Sequence, residues 1–290
     1  MLKFFLSCLA FLSLFSFGFS KSNVSAQYSM ASTMKDVEKI TMSFLDQYDA
    51  HDIFFVSDID ETLVMSMEPA THGENRHHYN MRDYVKSLSK ETFIVMLNLS
   101  HFKESTTLVD VDAPDVIKRL QERGIKTIAC TASATGSFGP LTERMEVFRY
   151  HTLQQHGIDF KGTFPEIKDR TFEIIKGNLG RSPAFYEGVL CSCGFANDPM
   201  KGVSLIELLK AAHYTPKVIV FVDDKELYLK DVEKAFATYM PAVKFVGIHF
   251  KGTYKRHAQP ISKEDFWTFW KTLEREANDF LAQNKKDRNA

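Results

Sequence analysis

Cysteine is scarce in this chain, with four in 290 residues at positions 8, 130, 191 and 193. Such usage excludes a disulfide framework of the kind that holds small secreted domains together. It also excludes a zinc site built on thiolates. Cys191 and Cys193 alternate on an expected strand and face one side, but two ligands do not make a tetrahedral site. An excess of charge of one sign is missing as well. Lys and Arg total 36 against 37 Asp and Glu, a net charge of −1. That balance gives no global electrostatic case for binding nucleic acid. Beyond the N-terminus there is no internal repeat, no low-complexity tract and no apolar run long enough to span a bilayer.

The one long apolar stretch comes first. Met1-Leu2-Lys3 gives a positive start, Phe4–Phe19 is rich in Phe, Leu and Ser, and Val24-Ser25-Ala26 offers small residues for cleavage. The pattern is that of a secretory signal peptide over residues 1–26, and the apolar run is short for a transmembrane span. The expectation is an exported protein, periplasmic or extracellular. Cleavage would leave Cys130, Cys191 and Cys193, an odd number, and therefore at least one free thiol. Cys130 sits inside an apolar strand and reads as a buried small hydrophobe.

What the chain does contain is concentrated at strand ends. Residues 54–63 read FFVSDIDETL: an apolar run from Ile53 to Val56 breaks into Asp58-Ile59-Asp60-Glu61-Thr62. A short apolar run that stops at a polar cluster is the pattern of a buried parallel strand. In open α/β sheets, ligands bind beyond the carboxyl ends of such strands. Two carboxylates held two residues apart raise each other's pKa unless a cation compensates. Mg²⁺ suits that task, since it takes one or two carboxylates together with phosphate oxygens and water.

Three further elements follow in order. IKTIACTAS, residues 125–133, is a second apolar strand that runs into Thr131. KGVSLIELL, residues 201–209, puts Lys201 at the start of an amphipathic helix, where a cation opposes the helix dipole and invites an explanation. KVIVFVDD, residues 217–224, is the strongest strand in the chain and ends in Asp223 and Asp224.

These four segments resemble the four motifs of the haloacid dehalogenase-like (HAD) superfamily, whose first motif is DxDxT and whose members are mostly Mg²⁺-dependent phosphatases. The overall pattern is similar to a secreted bacterial branch of undefined function. The resemblance implies that Asp58 is the nucleophile, that Asp60 is the general acid and base, and that Thr62 orients Asp60. It implies that Thr131 and Lys201 bind the phosphate. It also implies Mg²⁺ held by the Asp58 carboxylate, the Asp60 backbone carbonyl and Asp224, with Asp223 orienting a metal water or Lys201. Haloalkanoate dehalogenases lack an acid at the position of Asp60 and transport ATPases carry Thr there, so an Asp favours phosphoester hydrolysis. Lys210, Lys217 and Lys225 are competitors for Lys201, and Glu226 and Asp231 for the supporting acids.

The remainder organises around these segments. Apolar spacing predicts a helix over 33–48, and Gly124 reads as the glycine that ends the helix beginning near Pro114. Helices are expected at 141–156, 202–212 and 227–238, and a last strand at 243–250. Alternating strands and helices argue for an α/β, Rossmann-like parallel sheet with helices on both faces. The core is expected over 30–63 and 112–260. Residues 64–111 break the rhythm directly after Asp60 and are assigned to a cap insertion. Arg76 and Arg82, in its ENRHHYNMR stretch, are candidate substrate-binding residues, and KGTYKRH at 251–257 is a second candidate anion contact. Residues 164–194 are expected to form a β-hairpin insertion, with strands at Thr171–Ile175 and Ala184–Cys191. Residues 261–290 form a C-terminal helix and tail, with Phe266, Phe269, Trp270 and Leu273 packing on the domain.

The function expected from the sequence is a secreted Mg²⁺-dependent phosphomonoesterase acting on a small-molecule phosphoester through an aspartyl-phosphate. The alternatives are an exported phosphotransferase and a HAD-fold binding or effector protein that engages a protein partner.

Overall fold

A computed structural model describes residues 26–138, 144–194, 198–253 and 259–289. The expected signal peptide, apart from Ala26, lies outside them. In chain order the elements are β1 (Gln27–Ala31), α1 (Met34–Met42), β2 (Ile53–Ser57), β3 (Val64–Ser66), α2 (Gly73–His78), α3 (Met81–Ser87), α4 (Lys90–Lys103), β4 (Thr106–Leu108), α5 (Ala113–Glu122), β5 (Lys126–Thr131), α6 (Met145–Gln155), β6 (Asp169–Thr171), β7 (Ala184–Tyr186), β8 (Val189–Cys191), α7 (Lys201–Ala211), β9 (Val218–Asp223), α8 (Glu226–Tyr239), β10 (Lys244–Phe250) and α9 (Lys263–Asn289).

Eight strands form one sheet in the order β1-β10-β9-β2-β5-β8-β7-β6. The first six run parallel, and β7 and β6 are added antiparallel at one edge. The central strands are apolar on both sides because both faces are covered. Phe54, Val56, Ile128, Cys130 and Phe221 join the core beneath α7 and α8. Phe55, Ala129, Val220 and Val222 join the core beneath α1, α5 and α6. The strand order places β2 between β5 and β9. The chain builds outward from β2 through β5 to β8, then crosses to β9 and β10 on the other side. Such a reversal opens a crevice at the carboxyl ends of the strands on either side of it.

Local signals set the helix ends. Thr33 caps α1, accepting from the Asp36 amide at 3.1 Å. Pro114 occupies the first turn of α5, where its missing N–H costs nothing. Gly124 follows α5 with φ +84°, the left-handed conformation expected of a terminating glycine.

Several boundaries differ from the sequence expectation. α1 ends at Met42 and the chain tightens into a 3₁₀ turn over Ser43–Asp46. A strand precedes it: β1 pairs in parallel with β10 at the sheet edge. Its five residues are mostly exposed and carry no alternating pattern, so periodicity did not reveal it. The hairpin turn in the 164–194 region falls at Glu187-Gly188, inside the single strand expected over Ala184–Cys191. Gly188 has φ +92°, and a Cβ there would meet Phe160 at 2.4 Å. Residues 171–175 hold only the end of β6, which pairs with β7.

The insertion at 64–111 is mainly helical, carrying α2, α3 and α4 on a stem of antiparallel β3 and β4. The apolar stripe of α9 packs on this insertion rather than on the sheet. Phe266, Trp270 and Leu273 are buried with Val95, Met96 and Leu99 of α4, and the Trp270 Nε1–H donates to the Ala70 carbonyl at 3.0 Å. Tyr84 donates to Glu274 at 2.6 Å and Thr92 to Asn278 at 3.0 Å along the same seam. Among the described residues no helix is long and apolar enough to cross a membrane.

Candidate active site

Asp58 follows β2 at its carboxyl end, and its amide donates to Val222 of β9 at 2.8 Å. The chain then turns sharply. The Leu63 and Val64 amides donate to the Ile59 carbonyl at 2.9 and 3.0 Å, and Glu61 takes φ +63°. This turn lets Asp58 and Asp60, two residues apart, face one cleft. The cleft encloses about 300 Å³, and its walls come from the strand ends, from α4 and from Trp270.

Lys201 lies at the first residue of α7, 1% exposed, between two carboxylates. Its Nζ donates to Asp58 Oδ1 at 2.5 Å and to Asp223 Oδ2 at 2.7 Å. Gly202 makes this position reachable. A Cβ there would meet Ala235 Cβ and the Asp231 carbonyl at 2.6 Å, so only glycine lets α7 approach α8 this closely. The Gly202 amide donates to Asp231 Oδ2 at 2.8 Å. Asp231 thus sits at the N-terminus of α7, where its charge suits the dipole, and not in the cleft. Burial opposes the charge of Lys201, but Asp223 and then Asp58 outweigh it and raise its pKa well above the usual value.

Asp58, Asp223 and Asp224 offer carboxylate oxygens within 4.8 Å of one another and could hold a metal ion. The two β9 acids differ in what they have left to offer. Asp223 accepts from Lys201 through Oδ2 and from the Lys225 amide through Oδ1 at 2.9 Å. Asp224 pairs with Lys225 through Oδ2 at 3.5 Å, while its Oδ1 is buried without a hydrogen-bond partner. An orphaned buried carboxylate oxygen is costly, and a hard divalent cation would satisfy it. Three acids against Lys201 and Lys225 leave one negative charge uncompensated. Burial pushes Asp224 up, and it pushes Asp223 up to about 8 despite the opposing charge of Lys201. Both shifts come first from burial, and the neighbouring carboxylates add to them. The donor set therefore fits a divalent cation, with Asp224 better placed than Asp223 as a direct ligand.

Asp60 has partners that sequence reading did not supply. Arg149 of α6, 1% exposed, donates through Nη2 to Asp60 Oδ1. The Thr131 hydroxyl donates to Asp60 Oδ2 at 3.2 Å, and His101 Nδ1 lies 4.0 Å from Oδ1. Burial alone would raise the Asp60 pKa, but the charge of Arg149, followed by that of His101, brings it down to about 2. Thr62 does not orient Asp60 as expected. The turn after β2 carries its hydroxyl back to Asp58 Oδ2, at 3.3 Å, so Thr62 steadies the first carboxylate. A signal for Arg149 was present: Met145, Arg149 and Leu153 fall at i, i+4 and i+8, which puts a charge on the buried face of the helix.

Thr131 lines the same cleft, joined by Ser133, whose hydroxyl lies 3.1 Å from that of Thr131. Arg76 also lines it, and Arg82 is exposed and borders an adjoining groove that Arg76, Phe93, Leu97 and Trp270 share with the cleft. Lys225 reaches the cleft as well, and Lys210 and Lys217 are engaged elsewhere with Glu207 and Asp52. Glu226 pairs with His249 at 3.3 Å. Of the KGTYKRH stretch, Thr253 donates to the Glu61 carbonyl, and residues 254–257 lie outside the described residues. Cys130, Cys191 and Cys193 are all free and buried.

Comparison with known proteins gives relationship without activity. An uncharacterized protein of Rickettsia bellii (strain RML369-C) is 23% identical over 232 residues, which span 77% of this chain and 78% of that protein. No solved structure matches. A family model covers residues 19–284, almost the whole chain, and on that match the chain belongs to the family described as a protein of unknown function, DUF2608.

Proposed function

We propose that this protein is a Mg²⁺-dependent phosphomonoesterase of the HAD type that works through an aspartyl-phosphate on Asp58. The observation that carries the reading is the buried Lys201, shared by Asp58 and Asp223 beside the unpartnered Oδ1 of Asp224. A nucleophilic carboxylate, a fixed cation and an unpartnered acidic ligand at three strand or helix ends meet what phosphoryl transfer requires, which is mainly positioning and charge neutralisation.

In this reading a carboxylate oxygen of Asp58 attacks phosphorus, and the ester P–O bond breaks on the opposite side. Asp60, which Arg149 holds as a carboxylate, takes a proton from the water that hydrolyses the acyl phosphate, and the departing alkoxide takes its proton from solvent. Lys201 keeps Asp58 in place and offsets the charge that gathers on the phosphoryl oxygens. Thr131 and Ser133 offer hydroxyls to those oxygens. Mg²⁺, held by Asp58, Asp224 and the Asp60 carbonyl, would screen the approach of one anion to another and polarise the phosphoryl group. Phe93, Leu97 and Trp270 give the far wall an apolar surface against which the organic part of the ester would rest, with Arg76 at the edge.

The direct test is release of 4-nitrophenol from 4-nitrophenyl phosphate by purified protein with and without Mg²⁺. Absence of release with Mg²⁺, repeated across a panel of metabolite phosphates, would overturn the reading. Exhaustive chelation with EDTA should abolish turnover, and Mg²⁺ should restore it better than Ca²⁺, which is larger and takes more ligands. Full activity in metal-free protein would remove the metal from the reading.

Export is part of the same proposal. β1 begins at Gln27, directly after Ala26, so removal of residues 1–26 would leave the sheet intact. N-terminal sequencing of protein recovered from outside the cytoplasm should begin within a few residues of Gln27. An intact Met1 on soluble cytosolic protein would contradict it.

A further inference from the structure

The catalytic cleft does not end at its apolar wall. Beyond Phe93, Leu97 and Trp270 it adjoins a groove of about 480 Å³, and Arg76 stands where the two meet. The groove has an apolar floor and a basic rim. Phe93 and Leu97 lie one turn apart on α4 and are half-buried, whereas Ile94, Val95 and Met96 between them are buried. Met81 and Val85 of α3 complete the floor. The rim carries Arg76 and His77 of α2 with Arg82 and Lys86 of α3, and among the described residues no acidic side chain lines the groove. Lys86 pairs with Asp83 at 2.8 Å. The guanidinium groups of Arg76 and Arg82 have neither a hydrogen bond nor an ion pair among the described residues, although Glu61 and Asp83 respectively feel their charge. The opening on the other side of Arg76 differs, because Glu61, Glu74 and Asp224 line it.

We propose that this groove is a second subsite, and that the substrate is an elongated phosphomonoester with an apolar body and a second anionic group at its far end. The inference rests on the phosphatase reading of the cleft and names the class of ester that the cleft takes. With the phosphate at the strand ends, the body lies along Phe93, Leu97 and Trp270, and the far group meets Arg76 and Arg82. Charge and shape point to one kind of occupant. Two guanidinium groups with no acid in their groove attract an anion, and the guanidinium fork fits a carboxylate or a phosphate through two parallel bonds. A sugar phosphate would gain nothing from the floor, and a purely apolar ester nothing from the rim. Size agrees. Pockets for organic ligands run from about 300 to 1,000 Å³. The cleft alone, at about 300 Å³, stands at the bottom of that range, and the groove extends it well inside.

The test uses phenyl phosphates that differ only at the end of a short alkyl arm para to the ester. The arm ends in methyl, carboxylate, phosphonate or ammonium, and its methylene groups insulate the ring, so the leaving group stays nearly constant. Wild-type kcat/KM at low salt should favour the carboxylate over the methyl end by about tenfold or more, the worth of one charge-assisted contact, and should place the ammonium last. The preference should shrink as salt is raised, because Arg82 is exposed. A phosphonate that outdoes the carboxylate identifies the natural group as a second phosphate, and the reverse order identifies a carboxylic acid. Melting temperatures of each variant check folding. Arg76→Met should lower the ratio of carboxylate to methyl by about fivefold or more, and Arg82→Met by less because solvent screens its charge. Arg76→Lys, which keeps the charge, should recover part of the ratio. In an active wild-type enzyme, equal kcat/KM for all the ends, or folded variants that lose the carboxylate and methyl substrates alike, would overturn the subsite and leave the phosphatase reading standing. A wild-type protein that turns over none of them would overturn both.

Discussion

Asp58→Asn should abolish turnover, lowering the rate by more than about 1,000-fold, as loss of a covalent nucleophile does. Its position argues that the loss would come from chemistry and not from misfolding. The Asp58 side chain lies at the mouth of the sheet, and its backbone amide already bonds to Val222. An amide has nearly the same shape as the carboxylate. Its oxygen can still accept from Lys201, which keeps its ion pair with Asp223 at 2.7 Å. The melting temperature should therefore fall little, while the carboxamide cannot form the acyl phosphate. The measurements are kcat on an aryl phosphate, a thermal melt, and an intact mass showing that the asparagine has not deamidated back to aspartate. A folded, undeamidated variant that keeps more than a few per cent of the wild-type rate would remove Asp58 from the nucleophile's role. A second experiment examines the same atom. Phosphate trapped by acid quench in the wild type should be lost from Asp58→Asn.

The parts of this structure that were legible in the sequence are those in which local pattern and tertiary role agree. β2, β5, β9 and β10 are apolar runs bounded by polar clusters because both of their faces are covered, and their ends fell within a residue or two of expectation. The residues at those ends were legible for the same reason, since the sheet itself gathers Asp58, Thr131, Asp223 and Asp224. Lys201 was separable from Lys210, Lys217 and Lys225 by its place at the start of the helix leading into β9. The illegible parts depend on contacts distant in sequence. Arg149 meets Asp60 across 89 positions, and helical spacing puts it on the buried face of α6 without naming its partner. Thr62 meets Asp58 and not Asp60 because the course of a tight turn, not its spacing, decides where a hydroxyl points. α4 is apolar around most of its circumference because α9 covers one side and the cleft takes another. Such a helix has no clear periodicity to read. The site's skeleton was therefore visible as strand ends, whereas its orientation devices needed the folded chain.

Lys201→Met should cost both activity and stability, and the two losses should respond differently to rescue. In the native protein the ammonium is fully buried between Asp58 and Asp223 and stacks over the Tyr228 ring, 4.4 Å from its centroid. Methionine fills a similar volume but leaves two buried carboxylates facing one another, with Asp224 beside them. Removing one partner of a buried ion pair typically costs about 3–5 kcal/mol, because the remaining charge stays desolvated and unpaired. Urea denaturation should show a loss of that order, against almost none for Lys210→Met, whose surface pair with Glu207 is screened by solvent. Mg²⁺ should restore part of the lost stability, since a bound cation stabilises the folded state in proportion to its binding and would return positive charge to the same cluster. Asp223→Asn added to Lys201→Met should also recover stability by removing one of the opposed charges. Neither rescue should recover turnover. Mg²⁺ cannot take the place of an ammonium that bonds Asp58 from the α7 side, and Asp223→Asn removes repulsion without supplying a cation. A Lys201→Met protein that lost under about 1 kcal/mol would show that Asp58 and Asp223 do not both rely on this lysine. Recovery of full turnover in the double variant would show that Lys201 serves only to quiet Asp223, and that it has no part in holding the phosphoryl group.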